Sequence, residues 1–242
     1  MGKELVAQRL VADGLDVRRD CFAPHASGFP VDLFGDGFDW GLFTGQFRHD
    51  LLFIDIETCG LGDTVIFLVG MLRYRSGGER PCLEFESVLA RDPSVEPALL
   101  RHVAGSVCAT PYYVSFNGKS FDLPRLRNRA RRHRVEVLFE AFVDVPAERH
   151  IDLLIEVRRR WKGELPNCRL STVERRLLGL ERADDIPGRE VPARYWDAVT
   201  TGQAHLVEPI REHNRRDVFA MVALLSRLRA STSDLRPLTA KP

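Results

Sequence analysis

The chain is poor in closely spaced cysteines. Its five, Cys21, Cys59, Cys82, Cys108 and Cys168, are odd in number and far apart, and none forms Cys-x-x-Cys. Neither a zinc-binding spacing nor a disulfide framework is present, and a reducing interior fits best. Excess charge of one sign is lacking too. Lys and Arg total 35 against 34 Asp and Glu, a net charge of +1, so a footprint for a polyanion has to be local. No apolar run approaches a membrane span. The start, Met1-Gly-Lys-Glu-Leu-Val6, lacks a signal-peptide core and carries Val where a myristoylation signal has Ser or Thr. The expected location is cytoplasmic, with no membrane partner. No internal repeat or low-complexity tract occurs.

What remains is an ordinary globular composition, 44% hydrophobic and 29% charged over 242 residues, enough for one domain with a substantial core. Residues 1–48 open with a short amphipathic segment and turn rich in Gly, Asp and Phe; they read as an irregular extension packed on a main domain at 49–230. Strands are expected at 51–57, 66–73 and 83–88, the last two bracketing the turn signal Ser76-Gly77-Gly78. Asp92-Pro93 opens a helix reaching about Cys108. A strand at 112–116 precedes a helix from Leu123 to His133, and a short strand at 150–154 leads into a helix ending at Trp161. Ser171-Thr172-Val173-Glu174 reads as a capping box. Helices are expected from Pro192 to Gly202 and from Pro209 to Ala230, then a disordered tail at 231–242. A meander followed by alternating helices and strands means an α/β fold, a mixed five-stranded sheet flanked by helices.

Chemistry enters with Leu51-Leu-Phe-Ile-Asp-Ile-Glu57. Alternation puts Asp55 and Glu57 on one face of a strand, roughly 7 Å apart. The strand is apolar on both sides, which places it inside a sheet. Two adjacent anions there are costly without a cation, and divalent metal is the economical compensation. Taken alone, the pair is also compatible with an exposed strand end. On the last helix, Ile210, His213, Asp217, Met221, Leu224 and Leu228 share one stripe. His213 and Asp217 are thus i, i+4 neighbours in an apolar face; a simple His–Asp ion pair is the alternative. Asp122 follows the strand 112–116, where ligand sites of open sheets gather, but it reads equally well as a helix N-cap.

Together these segments carry a resemblance. Phe53-Ile-Asp-Ile-Glu-Thr-Cys-Gly-Leu61, Ile66-Phe-Leu-Val-Gly70, Val114-Ser-Phe-Asn-Gly-Lys-Ser-Phe-Asp-Leu-Pro124, His150-Ile-Asp-Leu-Leu154, Cys168-Arg-Leu-Ser-Thr-Val-Glu174, Asp184-Asp-Ile-Pro-Gly188 and His213-Asn-Arg-Arg-Asp217 occur in order. The chain resembles the YprB-like family of predicted exonucleases, in the RNase H-like superfamily of DEDD 3′–5′ exonucleases, over roughly residues 50–228. The resemblance implies an RNase H-like fold and metal-dependent 3′–5′ hydrolysis of nucleic acid at single-stranded ends. It implies two divalent ions, Mg²⁺ or Mn²⁺, one on Asp55, Glu57 and Asp217 and one on Asp55 with Asp122. Such ions lie roughly 3.5–4 Å apart. His213 would orient or deprotonate the attacking water. In that superfamily one subgroup has tyrosine four residues before the last Asp and another has histidine five before. Here His213 stands at the four-residue spacing, in the tyrosine's direction.

Thr58 and Leu61 would contact the terminal nucleotide, and Asn117 and Phe121 its sugar or base, with core packing an equal role for Phe121. Asp152 is a fifth acidic candidate or a structural residue, and Asp184-Asp185 reads as a turn. Basic residues crowd Lys119–Arg134 and Arg158–Lys162. Most read as solvated faces, with Lys119 and Arg125 the better placed for phosphate. A structure-specific endonuclease and a non-catalytic nucleic-acid-binding module are the alternatives. A helicase or repair partner is not identified by any motif.

Overall fold

The computed structural model describes residues 6–22, 51–75, 82–110, 112–143, 145–182 and 184–230. The expected tail, the turn at Ser76-Gly77-Gly78 and most of the N-terminal segment lie outside them. The strands are β1 (Val6–Ala12), β2 (Leu15–Phe22), β3 (Leu51–Thr58), β4 (Ile66–Arg75), β5 (Cys82–Ala90), β6 (Tyr112–Ser115) and β7 (His150–Asp152). The helices are α1 (Glu96–Cys108), α2 (Asp122–Arg132), α3 (Glu136–Ala141), α4 (Leu153–Trp161), α5 (Leu170–Val173), α6 (Val191–Thr201) and α7 (Glu208–Ala230).

All strands join one sheet in the order β1-β2-β5-β4-β3-β6-β7. The first five positions pair antiparallel and β3-β6-β7 pair parallel. The sheet is mixed, as expected, but among the described residues it has seven strands rather than five. The two extra strands are a hairpin in the segment read as an irregular extension. Asp13-Gly14 turns it with φ of 48° and 80°, the left-handed pair that matches strand twist. The hairpin is held by charge: the buried Asp16 carboxylate meets Arg9 at 2.9 Å, Arg91 at 3.0 Å and Arg211 at 3.3 Å.

The sheet separates two cores. Leu52, Ile54 and Ile56 of β3 pack with Leu99, Leu100 and Val103 of α1 and Leu126 of α2. On the other face Phe53 packs with Val157 of α4 and Val218, Phe219 and Met221 of α7. β3 is therefore interior, between β4 and β6, and covered on both faces.

Three local expectations change. The segment Ser171–Glu174 is not a capping box, because Ser171 lies inside α5 and Glu174 turns to Arg182; Asn167 Oδ1 instead accepts from Arg169 N and Thr172 Oγ1. Arg129 is not on a solvated face. Its guanidinium is buried against Glu96, whose Oε1 also accepts from Ile66 N at 2.8 Å and whose Oε2 meets His133 Nε2 at 2.8 Å. This hub ties β4, α1 and α2 together. The strand expected at 150–154 stops at Asp152, which caps α4 by accepting from Leu154 N at 3.1 Å.

Candidate active site

The site forms where α7 crosses β3 and β4. Asp55 and Glu57 lie on the face of β3 that α7 covers, and across from Asp55 in the ladder stands Gly70. A Cβ on Gly70 would lie 2.0 Å from Asn214 Oδ1 and 3.1 Å from Val218 Cγ2. Only glycine lets the helix approach so closely. The approach brings Asn214, fully buried, onto Asp55: its Nδ2 donates to Asp55 Oδ2 at 2.7 Å. Asn214 Oδ1 has no hydrogen-bond partner among the described residues.

Asp122 arrives from the other side of β3. The parallel ladder with β6 ends at Phe53–Val114, which leaves the N–H of Ile56 to an outside acceptor. Asp122 Oδ1 takes it at 3.1 Å, so this carboxylate sits at the backbone between Asp55 and Glu57. The loop before it is fixed by three buried residues. Asp152 accepts from Asn117 N at 2.9 Å and Lys119 N at 3.0 Å. Ser115 Oγ accepts from Gly118 N at 3.1 Å and bonds His150 Nε2 at 2.7 Å. Burial pushes that imidazole down to about 4, which leaves it neutral. A Cβ on Gly118 would strike Ser115 Oγ at 2.1 Å. Asp152 is thus a scaffold for the loop that presents Asp122.

Asp217 and His213 face the same space from α7, but they are not a simple pair: His213 Nε2 stands 4.0 Å from Asp217 Oδ2. The close partner of His213 is Asp185, with Nδ1 2.9 Å from Oδ1. Arg182 binds Glu174 through Nε and Nη2 at 2.7 Å each, Asp185 through Nη1 at 2.8 Å, and Asp217 through Nη2. Burial works against its charge, but Asp217 and Glu174 outweigh that and hold its proton more firmly than in a free guanidinium. Asp184 does occupy a turn, with φ of 57°; its neighbour Asp185 belongs to the site. A cavity of about 640 Å³ opens here, lined among others by Arg175, Arg182, Asp185, Gly188, His213 and Asp217.

The electrostatics are those of an anionic hole. Burial, then repulsion from Asp217, Asp122 and Glu57, pushes the Asp55 carboxyl well above its ordinary range, with Asn214 opposing. Burial and repulsion from Asp217, Asp122 and Asp185 do the same to Glu57, with Arg182 opposing. Burial raises Asp122 to about 7. Burial also raises Asp185, but hydrogen bonds from Arg182 and His213 more than offset it and leave it below its usual value. Among the described residues no three His, Cys, Asp or Glu side chains converge as metal ligands: Asp55 is turned to Asn214, Asp122 to Ile56 N and Asp217 to Arg182. The donor set nonetheless fits hard divalent cations, because buried carboxylate oxygens in excess of cationic charge are what such ions require.

The raised carboxyls have a consequence for stability. Between the ordinary value of 3.8 and about 7, the folded chain holds a proton on Asp122 that the unfolded chain has lost. Stability therefore falls as pH rises through that window. In chelator, the melting temperature is expected to fall across it, and Asp122→Asn, which keeps an acceptor for Ile56 N, is expected to reduce the fall. Equal slopes in the two proteins would contradict the assignment.

The expected nucleic-acid contacts gather around the first two segments. Thr58 is buried, with its hydroxyl on Gly60 O at 2.7 Å, whereas Leu61 is exposed. Lys119 is exposed on the loop, and Asn117 turns it with φ of 70°. Phe121 packs on the core and carries the Arg125 guanidinium 3.5 Å from its ring centre. Arg125 also binds Leu61 O and Phe121 O, so it clamps the loop after β3 onto α2. Asn214 and Glu174 lie within the motif segments but had no site role there, and Arg182 lies outside every motif. Asn214 had a signal: it stands three residues before Asp217, on a helix flank with Ile210.

Residues 52–229 match the model of the RNase_H superfamily, and the mixed sheet with flanking helices agrees. The chain belongs to that superfamily. Within it the chain is YprB-like: the uncharacterized protein YprB of Bacillus subtilis (strain 168) is 31% identical over 183 residues, 74% of this chain and 42% of that protein. The chain thus spans less than half the length of this relative. Superfamily membership supports an activity on nucleic acid. Among the described residues no helix is long and apolar enough to cross a membrane.

Proposed function

We propose that the chain is a metal-dependent 3′–5′ exonuclease that hydrolyses phosphodiester bonds at single-stranded ends. The observation that carries this reading is the gathering of Asp55, Glu57, Asp122 and Asp217 from β3, α2 and α7, in which Asp217 and Asp122 raise the carboxyls of both Asp55 and Glu57. Asp55, Glu57 and Asp217 would hold one Mg²⁺ or Mn²⁺, and Asp55 with Asp122 a second. Bound there, such ions supply Lewis-acid stabilisation of charge developing on the scissile phosphate. Asn214 holds the Asp55 carboxylate in place through its Nδ2. His213 accepts the proton of the attacking water at Nε2, which faces the cavity. Leu61, exposed just past the end of β3, and Lys119, exposed on the loop before Asp122, meet the terminal nucleotide, while Thr58, Asn117, Phe121 and Arg125 shape the loops that present them.

The test uses 5′-labelled single strands of DNA and RNA, with the 3′ end free or blocked, incubated with Mn²⁺ or Mg²⁺ and with EDTA. A ladder shortening from the free 3′ end, absent with the block and with EDTA, is expected. Internal cuts in the blocked strand would make the chain an endonuclease. Binding without any cleavage would make it a non-catalytic module.

A further inference from the structure

His213 has a partner outside every motif assigned to catalysis. Asp185 reaches it from the loop before α6, and both oxygens of Asp185 are committed. Oδ1 meets His213 Nδ1 at 2.9 Å and Oδ2 accepts from Arg182 Nη1 at 2.8 Å. Arg182 cannot swing away to release that oxygen, because Glu174 grips its Nε and Nη2 at 2.7 Å each and Asp217 also receives Nη2. The imidazole is itself mostly enclosed, with its side chain 14% exposed.

We propose that Asp185, locked by Arg182, is a positioning residue that keeps His213 in the Nδ1–H tautomer and leaves the lone pair on Nε2. An ionised carboxylate can only accept, so the ring has to donate from Nδ1, and in a neutral imidazole the other nitrogen is then the acceptor. Nε2 faces the site: it stands 4.0 Å from Asp217 Oδ2 and 4.0 Å from where a Cβ on Gly188 would lie. A lone pair there can take a proton from water beside Asp217, and an N–H there cannot. The use of that lone pair rests on the nuclease reading; the tautomer itself does not.

Asp185→Asn is the discriminating variant. An amide has one acceptor oxygen. The charged, immobile Arg182 donor claims it, which turns the amide N–H toward His213 Nδ1. The ring proton then moves to Nε2 and the base is lost. A wrong-tautomer substitution of this kind costs on the order of 10⁴-fold where an Asp–His pair serves as base, and a fall of roughly 100-fold or more is expected here. The direct readout is ¹⁵N NMR of the His213 ring in metal-free protein, at a pH high enough that the spectrum shows a single ring N–H. The wild type is expected to show Nδ1–H and the variant Nε2–H. An Nε2–H wild type overturns the proposal, and that measurement needs no variant to fold. Cleavage by an active wild type that survives Asp185→Asn undiminished also overturns it. A wild type with Nδ1–H that cleaves no nucleic acid upholds the Asp185 assignment and removes the nuclease reading instead.

Discussion

Asp55→Asn is expected to abolish metal-dependent cleavage, by on the order of 1,000-fold or more, while making the metal-free protein more stable. Both effects come from one cause. Asp55 is placed among Glu57, Asp122 and Asp217, each of which raises its carboxyl, and burial raises it most. The asparagine keeps an acceptor for Asn214 Nδ2, now 2.7 Å from Oδ2, so the helix α7 stays docked against Gly70. It removes a charge that the fold without metal does not compensate. An isosteric change that raises the thermal midpoint in EDTA, yet destroys turnover in Mn²⁺, marks a residue placed for function against stability. Unchanged turnover would remove Asp55 from the site. A lower midpoint in EDTA would show that its charge is compensated within the fold.

The largest effect on stability is expected at the Glu96 hub. Glu96→Ala leaves the Arg129 charge buried and strips the acceptor from Ile66 N, and loss of one partner of a buried pair costs about 3–5 kcal/mol. The Arg129 side chain is 6% exposed and that of Glu96 fully buried, so water cannot take over. The double change Glu96→Leu with Arg129→Met is expected to cost clearly less than Glu96→Ala alone, because no charge is then stranded. Urea denaturation of the three proteins measures this, and a double variant as unstable as the single one would contradict it. The hub matters for the site because it seats α2, whose first residue is Asp122.

The elements that were legible in the sequence are those whose residues obey one period. β3, β4 and β6 are apolar runs between turn signals, and α7 carries its stripe. Asp55, Glu57, His213 and Asp217 were legible because each interrupts such a pattern with a group that a core does not tolerate alone, whereas Asp122, where a loop meets a helix, stood out only through the family resemblance. The β1-β2 hairpin was not, since Arg9, Arg18, Arg19 and Asp16 make its strands look polar. Its place in the sheet depends on arginines as distant as Arg91 and Arg211. Arg182 and Asp185 escaped for the same reason: a charge in a loop reads as solvated until the fold brings it to Asp217 and His213, 35 and 28 residues away. The Asp13-Gly14 turn, the Gly70 facing Asp55 and Asn214 on the flank of α7 were signals present but unread.

The central claim is that these four carboxylates hold divalent ions against a nucleic-acid strand. Electron paramagnetic resonance can count Mn²⁺ bound per chain in the presence of a non-hydrolysable single strand. About two ions are expected for the wild type, with both weakened in Asp55→Asn because Asp55 is the carboxylate they would share. Binding no tighter than that of Asp55→Asn would contradict the claim.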